Sequence, residues 1–242
     1  MFSYLCAVKM KNDANQREKI GIKLVLKSIS IFIVFIIITF ITAGKLDYWQ
    51  GWVFNGLNIL FILLTYIVLI DRKDLIKERL KPGKGMKQWD RVYYAVSTPM
   101  FFAMFIFSIL DASRFYWEPS VPISIMFLGI ILYSIGQAIG LWAKRVNKFF
   151  SSVVRIQTER NQIVCTDGPY RFVRHPGYAG GIIFTIGTPL MLGSFWGLFL
   201  AIITIIFIFG RTYMEDKTLE NELPGYTDYA KMVKFRLIPY LW

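Results

Sequence analysis

Long stretches without a charged side chain alternate along this chain with short segments rich in lysine and arginine. Residues 28–44, 48–70, 92–110 and 119–143 contain no Asp, Glu, Lys, Arg or His and are 17, 23, 19 and 25 residues long. Each is close to the ~20 apolar residues that cross a bilayer as a helix. The pattern therefore predicts four membrane-spanning helices in the first part of the chain.

A fifth uncharged stretch is too long for one span. It covers residues 176–210, which is 35 residues, and has Gly193 and Ser194 near its midpoint. Because glycine and serine are common in turns, we expect two helices joined in a tight hairpin. The fold class predicted is all-α, a polytopic transmembrane helical bundle of about six spans whose last two form a helical hairpin.

Composition agrees with this interpretation. The chain has 242 residues, of which 55% are hydrophobic and only 18% charged, and its mean hydropathy is +0.46. That is too apolar for an ordinary soluble domain of this length. No Asp, Glu, Lys, Arg or His interrupts a predicted span, which argues against ion-coupled transporters and proton pumps, where buried charges mark the pathway.

The net charge of +12 has a topological explanation. Of the 28 lysines and arginines, 26 lie before residue 28, between residues 71 and 91, between 144 and 175, or from 211 onward. The positive-inside rule therefore places both termini and these segments in the cytoplasm. Contact with anionic membrane lipids explains the basic surplus, and no nucleic-acid partner is expected.

Three regions follow from this organisation. Residues 1–27 form a basic cytoplasmic N-terminal segment, residues 28–143 a four-span membrane scaffold, and residues 144–242 the region in which function is expected. In the fourth span Gly129, Gly136 and Gly140 share one helical face. Close helix packing explains such a face, and a bulky ligand lying against it is the alternative.

The most distinctive segment is residues 167–181, DGPYRFVRHPGYAGG, which contains the only histidine of the chain and leads into the long apolar run. Pro176 disfavours helical geometry at His175. After the run, Arg211 and Glu215 are four residues apart and therefore lie on one helix face. The tail then carries Tyr226, Tyr229 and the sequence Leu-Ile-Pro at residues 237–239.

In their order and spacing these residues resemble the signature of the isoprenylcysteine carboxyl methyltransferase family of integral membrane enzymes, related to phospholipid methyltransferases. The resemblance covers roughly the last hundred residues. It implies S-adenosyl-L-methionine as cofactor and gives Arg211 the catalytic, substrate-binding role of orienting the acceptor. The residues implied in cofactor binding are Gln162, Ile163, Val164, Cys165, Tyr170, His175, Pro176, Gly177, Tyr178 and Glu215.

The residue types suit that chemistry. Tyrosine faces stabilise cations such as a sulfonium by about 0.5 to 2 kcal/mol each. An acceptor carboxylate is already ionised near neutral pH, so it needs no base, and an arginine can hold it bidentately. The expected partner is a lipophilic small-molecule or prenylated substrate that enters from the bilayer. With one histidine and no Cys/His cluster, no metal is expected.

Several alternatives stay open at this point. An amine or hydroxyl acceptor would need a base, for which His175, Glu215 and Asp216 are candidates. Arg155 or Gln157 could supply a further polar contact to the cofactor. An NADPH-dependent sterol-type reductase has a related Arg-His-x-Asn-Tyr motif, although Pro176 and Gly177 replace its Asn-containing sequence here. A non-enzymatic membrane lipid-binding protein is the alternative from another class.

Overall fold

The computed structural model describes residues 29–30, 32–69, 71–72, 75 and 85–242. Within these ranges the regular structure is helical and contains no strand. The helices are α1 Phe32–Ala43, α2 Trp49–Leu69, α3 Gln88–Leu110, α4 Ile123–Val146, α5 Pro176–Leu192, α6 Gly197–Glu222 and α7 Tyr226–Met232. The predicted N-terminal segment, residues 1–27, lies outside the described residues.

Four of the described helices are long and apolar enough to cross a membrane. They are α2, α4, α6, and α3 together with the π-helical turn Asp111–Phe115 that continues it. Helix α1 is shorter, and α5 has 17 residues. The polytopic helical bundle is thus confirmed, while the total of six spans stays a prediction for α1 and α5.

The hairpin between α5 and α6 turns where the sequence predicts it. Gly193 caps α5 with φ 90°, a left-handed conformation that glycine adopts without steric cost, and its N–H bonds the last carbonyls of the helix. The Ser194 hydroxyl accepts the N–H of Gly197 at 2.9 Å and donates to the Asp111 carboxylate at 2.5 Å. The turn is therefore attached to the end of α3.

Helices α4 and α5 form the most extensive contact of the bundle. A Cβ on Gly136 would lie 2.5 Å from the carbonyl oxygen of Gly180 and from the amide nitrogen of Phe184, and one on Gly129 would lie 2.3 Å from the amide of Met191. The close-packing explanation is confirmed at these two positions. A Cβ on Gly140 would meet nothing within 4 Å.

The predicted cytoplasmic segments lie together at one end of the bundle. Lys87, which precedes α3, pairs with Glu222 at the end of α6 at 2.6 Å, and its amide donates to the carbonyl of Val154. At the other end, the Tyr48 hydroxyl donates to the carbonyl of Leu192 at 2.5 Å. The chain segments that the charge pattern groups on one side are therefore neighbours in space.

The segment between α4 and α5, residues 147–175, is irregular apart from the 3₁₀ turns Thr158–Arg160 and Gly168–Arg171. The C-terminal tail runs beside its last residues. The backbone N–H groups of Arg174 and His175 donate to the carbonyls of Phe235 and Arg236, both at 2.9 Å. The tail thus holds the His-Pro turn in place at the start of α5.

Candidate active site

A cavity of about 260 Å³ lies where α5 begins and α6 ends, close to the lower end of the range of roughly 300 to 1,000 Å³ for small-molecule sites. Its walls come from α3, α5, α6, α7 and the irregular segment. Ten of the eleven residues predicted from the sequence line it: Gln162, Ile163, Val164, Cys165, Tyr170, His175, Gly177, Tyr178, Arg211 and Glu215.

Pro176 is the predicted residue that is not among the lining residues. It is buried and occupies the first position of α5, where its fixed φ suits a helix start and its missing N–H is no loss. Its effect on the cavity comes through the turn that it sets between His175 and Gly177.

One wall of the cavity is held by the buried carboxylate of Asp216, which the sequence offered as a candidate base. Asp216 is 0% exposed. It accepts a hydrogen bond from the Tyr226 hydroxyl at 2.7 Å and lies 3.0 Å from Nε2 of His175. Because an ionised carboxylate has no hydrogen to give, Nε2 is the nitrogen that carries one. Asp216 is thus engaged in holding the histidine ring.

Two arginines complete this cluster. Arg174 donates to Asp216 from Nε at 2.9 Å and from Nη2 at 2.7 Å, and Arg236 donates from Nε at 2.7 Å. Arg174 also donates to tail carbonyls, including that of Val233 at 3.1 Å. Its charge is therefore balanced inside the protein, while Arg171 lies at the surface, 69% exposed, beside Asp167.

Tyr178 and Glu215 both line the cavity and are in contact with each other. The Tyr178 hydroxyl donates to the Glu215 carboxylate, and the Tyr178 ring stacks on His175 with centroids 5.8 Å apart and planes inclined by 19°. Helices α5 and α6 thus present an aromatic face and a carboxylate to the same space. These are groups that bind a cation carrying hydrogen-bond donors.

Arg211 lies beside Glu215 but forms its ion pair elsewhere. Its Nε is 2.9 Å from the Asp90 carboxylate on the first turn of α3. Its Nη2 donates to the Ser152 carbonyl at 2.8 Å, and its Nη1 donates to the Tyr94 hydroxyl at 3.1 Å. The guanidinium carbon also lies 5.3 Å from the centre of the Tyr178 ring.

Residues 162–165, which the resemblance implies in cofactor binding, do line the cavity. The Gln162 side chain accepts the N–H of Gln157 at 2.7 Å, which fixes the start of the segment. Burial raises the pKa of the Cys165 thiol, so that the thiol stays protonated at neutral pH and is a poor nucleophile.

The structure separates Arg155 from Gln157. Arg155 lines the cavity, whereas Gln157 is 1% exposed and holds the loop, donating to the Phe149 carbonyl at 2.7 Å. Arg155 also pairs with Glu159 at 2.8 Å. Of these two side chains, Arg155 is therefore the one placed to contact a ligand.

Sequence reasoning missed the contribution of α3 and of the loop after α4. Tyr94, Asn147, Phe150 and Ser152 all line the cavity, and Asp90 lies behind it with a fully buried side chain. A signal for Asp90 was present, because an acid at the edge of an apolar span needs a buried partner. Nothing in the sequence indicates which residue that partner is, since Asp90 and Arg211 are separated by 121 residues.

No group of three His, Cys, Asp or Glu side chains that could hold a metal ion occurs in the described part of the chain.

Comparisons with known proteins point in the same direction as the geometry. Residues 124–223 match the family described as phospholipid methyltransferase. A protein-S-isoprenylcysteine O-methyltransferase of Schizosaccharomyces pombe is 30% identical over 111 residues, which is 46% of this chain and 41% of that protein. A probable protein-S-isoprenylcysteine O-methyltransferase of Oryza sativa is 36% identical over 78 residues, 32% of this chain and 38% of the relative.

A third relative, protein-S-isoprenylcysteine O-methyltransferase A of Arabidopsis thaliana, is 27% identical over 108 residues, 43% of this chain and 55% of the relative. The chain thus spans about half the length of the curated relatives it matches. These matches confirm the resemblance to the isoprenylcysteine carboxyl methyltransferase family over the second half of the chain.

Proposed function

We propose that this protein is an integral membrane methyltransferase that uses S-adenosyl-L-methionine and methylates a lipophilic acceptor. The acceptor proposed is the carboxylate of an isoprenylcysteine-like or other isoprenoid substrate. The observation that carries the proposal is the gathering of ten residues, predicted from a methyltransferase signature, around one cavity at an end of the membrane bundle. The names of the relatives, which are O-methyltransferases, support it.

The donor set of the cavity fits this cofactor. Glu215 supplies a carboxylate for ribose hydroxyls or an ammonium group, and Tyr170 and Tyr178 supply aromatic faces for a sulfonium. When bound, the cofactor supplies an already activated methyl group. The residues of this chain therefore have to bind, orient and exclude water, and they need form no covalent bond themselves.

Arg211 is the residue proposed to orient the acceptor. A carboxylate is ionised near neutral pH, so the chain has no proton to remove, and a guanidinium is suited to hold it. The polar groups around His175 favour this class of acceptor, because Asp216 is already occupied by Arg174, Arg236 and Tyr226. Asp216 is then not arranged as a general base.

The same proposal covers topology and organisation. Both termini and the cavity face the cytoplasm, as the charge pattern favours, and the acceptor enters laterally from the bilayer. Residues 144–242 form the cofactor-binding and catalytic region, residues 28–143 the membrane scaffold, and residues 1–27 a basic cytoplasmic segment. Membrane lipids surround the exposed apolar side chains of the spans.

The test is transfer of a radiolabelled methyl group by the purified protein in lipid nanodiscs. An S-farnesylated cysteine with a free carboxylate should become labelled, and base treatment should release the label as methanol, as a methyl ester requires. The matching carboxamide should take up no label. Label that resists base would point to an amine or hydroxyl acceptor, and no transfer to the prenylated carboxylate or to a total lipid extract would contradict the proposal.

A further inference from the structure

Asp90 is a buried acid for which the family resemblance provides no role. It lies on the first turn of α3, outside residues 124–223 that match the family model. Its side chain is 0% exposed, and it does not line the cavity. A buried carboxylate is costly unless it is paired and hydrogen-bonded, so its partners indicate what it does.

Those partners are two parts of the cavity wall. The Asp90 carboxylate lies 2.9 Å from Nε of Arg211 through Oδ1 and accepts from Nη2 at 3.3 Å through Oδ2. Oδ2 also accepts the backbone N–H of Val154 at 2.7 Å. One side chain on α3 therefore fixes an arginine on α6 and the loop after α4.

The contact determines which edge of Arg211 is left for a substrate. A guanidinium has five N–H donors in a planar fork. The edge formed by Nε and Nη2 faces Asp90, Nη2 also binds the Ser152 carbonyl, and Nη1 binds the Tyr94 hydroxyl. Nε lies 2.9 Å from the Asp90 carboxylate as an ion pair without a hydrogen bond. Within the described residues, Nη1 is thus the nitrogen that faces away from Asp90 and has a donor left over.

Three tyrosine rings lie close to the same guanidinium group. The guanidinium carbon lies 4.7 Å from the ring centre of Tyr93 and 4.6 Å from that of Tyr94. The Tyr178 ring is 5.3 Å away. With a carboxylate on one edge and rings around it, the guanidinium has little freedom to rotate towards a ligand.

We propose that Asp90 is a positioning residue of the methyltransferase: it fixes the plane of Arg211 and occupies its Nε and Nη2 edge, so that Nη1 is the group offered to the acceptor. The inference rests on the proposed function, in which Arg211 orients the acceptor carboxylate. It also revises the expected bidentate clamp, because Nη2, which belongs to both edges that such a clamp could use, already binds Asp90 and the Ser152 carbonyl.

Asp90→Asn tests this in the full-length protein, since it keeps the shape and removes the charge. The maximal rate of methyl transfer should fall by roughly 10- to 100-fold, as expected when a reacting group is displaced by about 1 Å. The dissociation constant for S-adenosylhomocysteine should stay within about twofold of wild type. In an Arg211→Gln background the same change should add little, because residues acting as a unit are non-additive.

Asp111→Asn is the matched control. Asp111 is also a buried acid, 3% exposed, and it directly follows α3 at the opposite end of the bundle. Its partners are Ser194 and the backbone of Trp117. This substitution should lower the melting temperature and leave the maximal rate, measured well below that temperature, within about twofold of wild type.

The possible outcomes separate the two proposals. If the wild type is active and the Asp90→Asn variant is equally active, the role of Asp90 is wrong while the proposed function stands. The same holds if the loss of rate caused by Asp90→Asn adds fully to the loss caused by Arg211→Gln in the double variant. If Asp90→Asn does not fold, Asp90→Glu is the variant to test, because its extra methylene displaces Arg211. A rate at least tenfold lower than wild type with intact cofactor affinity supports the positioning role, and a wild-type rate overturns it. A wild type without methyl transfer overturns the proposed function, and the role of Asp90 with it.

Discussion

The cluster around Asp216 yields the sharpest prediction about stability. Asp216→Asn keeps the side chain's shape, and Oδ1 can still accept from Tyr226 and His175. The amide NH₂ then replaces Oδ2, which now lies 2.7 Å from Nη2 of Arg174 and 2.7 Å from Nε of Arg236. Two pairs of donors would face each other, and two buried or half-buried arginines would lose their counter-charge.

Breaking a buried ion pair by removing one partner costs about 3 to 5 kcal/mol. For a protein of this size that corresponds to a melting temperature lower by roughly 6 to 20 °C. The damage should begin locally, because Arg174 also holds the tail through the carbonyl of Val233. The tail should therefore become a site of proteolysis before the membrane helices unfold.

The assay is thermal unfolding in detergent together with limited proteolysis followed by mass spectrometry. Asp228→Asn is the control, because Asp228 is 78% exposed and pairs with Lys231 at the surface, where ion pairs contribute little. Asp228→Asn should melt like wild type. If Asp216→Asn also melts like wild type and its tail resists cleavage, the cluster does not anchor the tail and the reasoning is wrong.

Three further predictions concern packing, the cavity and topology. Gly136→Ala should destabilise the protein by about 1 to 3 kcal/mol, measured by chemical denaturation, because its Cβ would meet backbone at 2.5 Å; Gly140→Ala, with open space, should not, and equal effects would refute the packing argument. Tyr178→Ala should weaken S-adenosyl-L-methionine binding about 3- to 30-fold by calorimetry, since a cation–aromatic contact to its sulfonium contributes up to about 2 kcal/mol; unchanged affinity would show that Tyr178 has no part in cofactor binding. In a background without native cysteines, single cysteines at Lys231 and Lys45 should be labelled from opposite sides of the membrane, and labelling from one side would contradict the charge-based topology.

The sequence predicted those features that depend on local pattern. The spans follow from uncharged stretches, and the hairpin follows from Gly193 and Ser194, which turn as expected. The glycine face of α4 predicted close packing, which Gly129 and Gly136 confirm. Each of these signals is contained within a few turns of one helix.

What could not be predicted depends on partners far apart in the chain. Arg174 lies in the segment of residues 167–181 and Asp216 directly follows Glu215, but their pairing joins residues 42 positions apart. The pairing of Asp90 with Arg211 joins two helices with α4 and α5 between them in sequence. Charge and hydropathy mark such residues as needing a partner, but only the packing of the helices decides which partner each one finds.

Calorimetric titration with S-adenosylhomocysteine is the most direct test of the central claim, that the cavity binds the methyl-donor cofactor. The wild-type protein should bind it and should show no heat with NADPH. Glu215→Gln, which replaces an acceptor-only carboxylate by a neutral amide, should bind it at least tenfold more weakly, whereas Glu222→Gln, whose carboxylate pairs with Lys87 at the surface, should bind like wild type. Binding of NADPH instead, or equal affinity in the wild type and the Glu215 variant, would contradict the account.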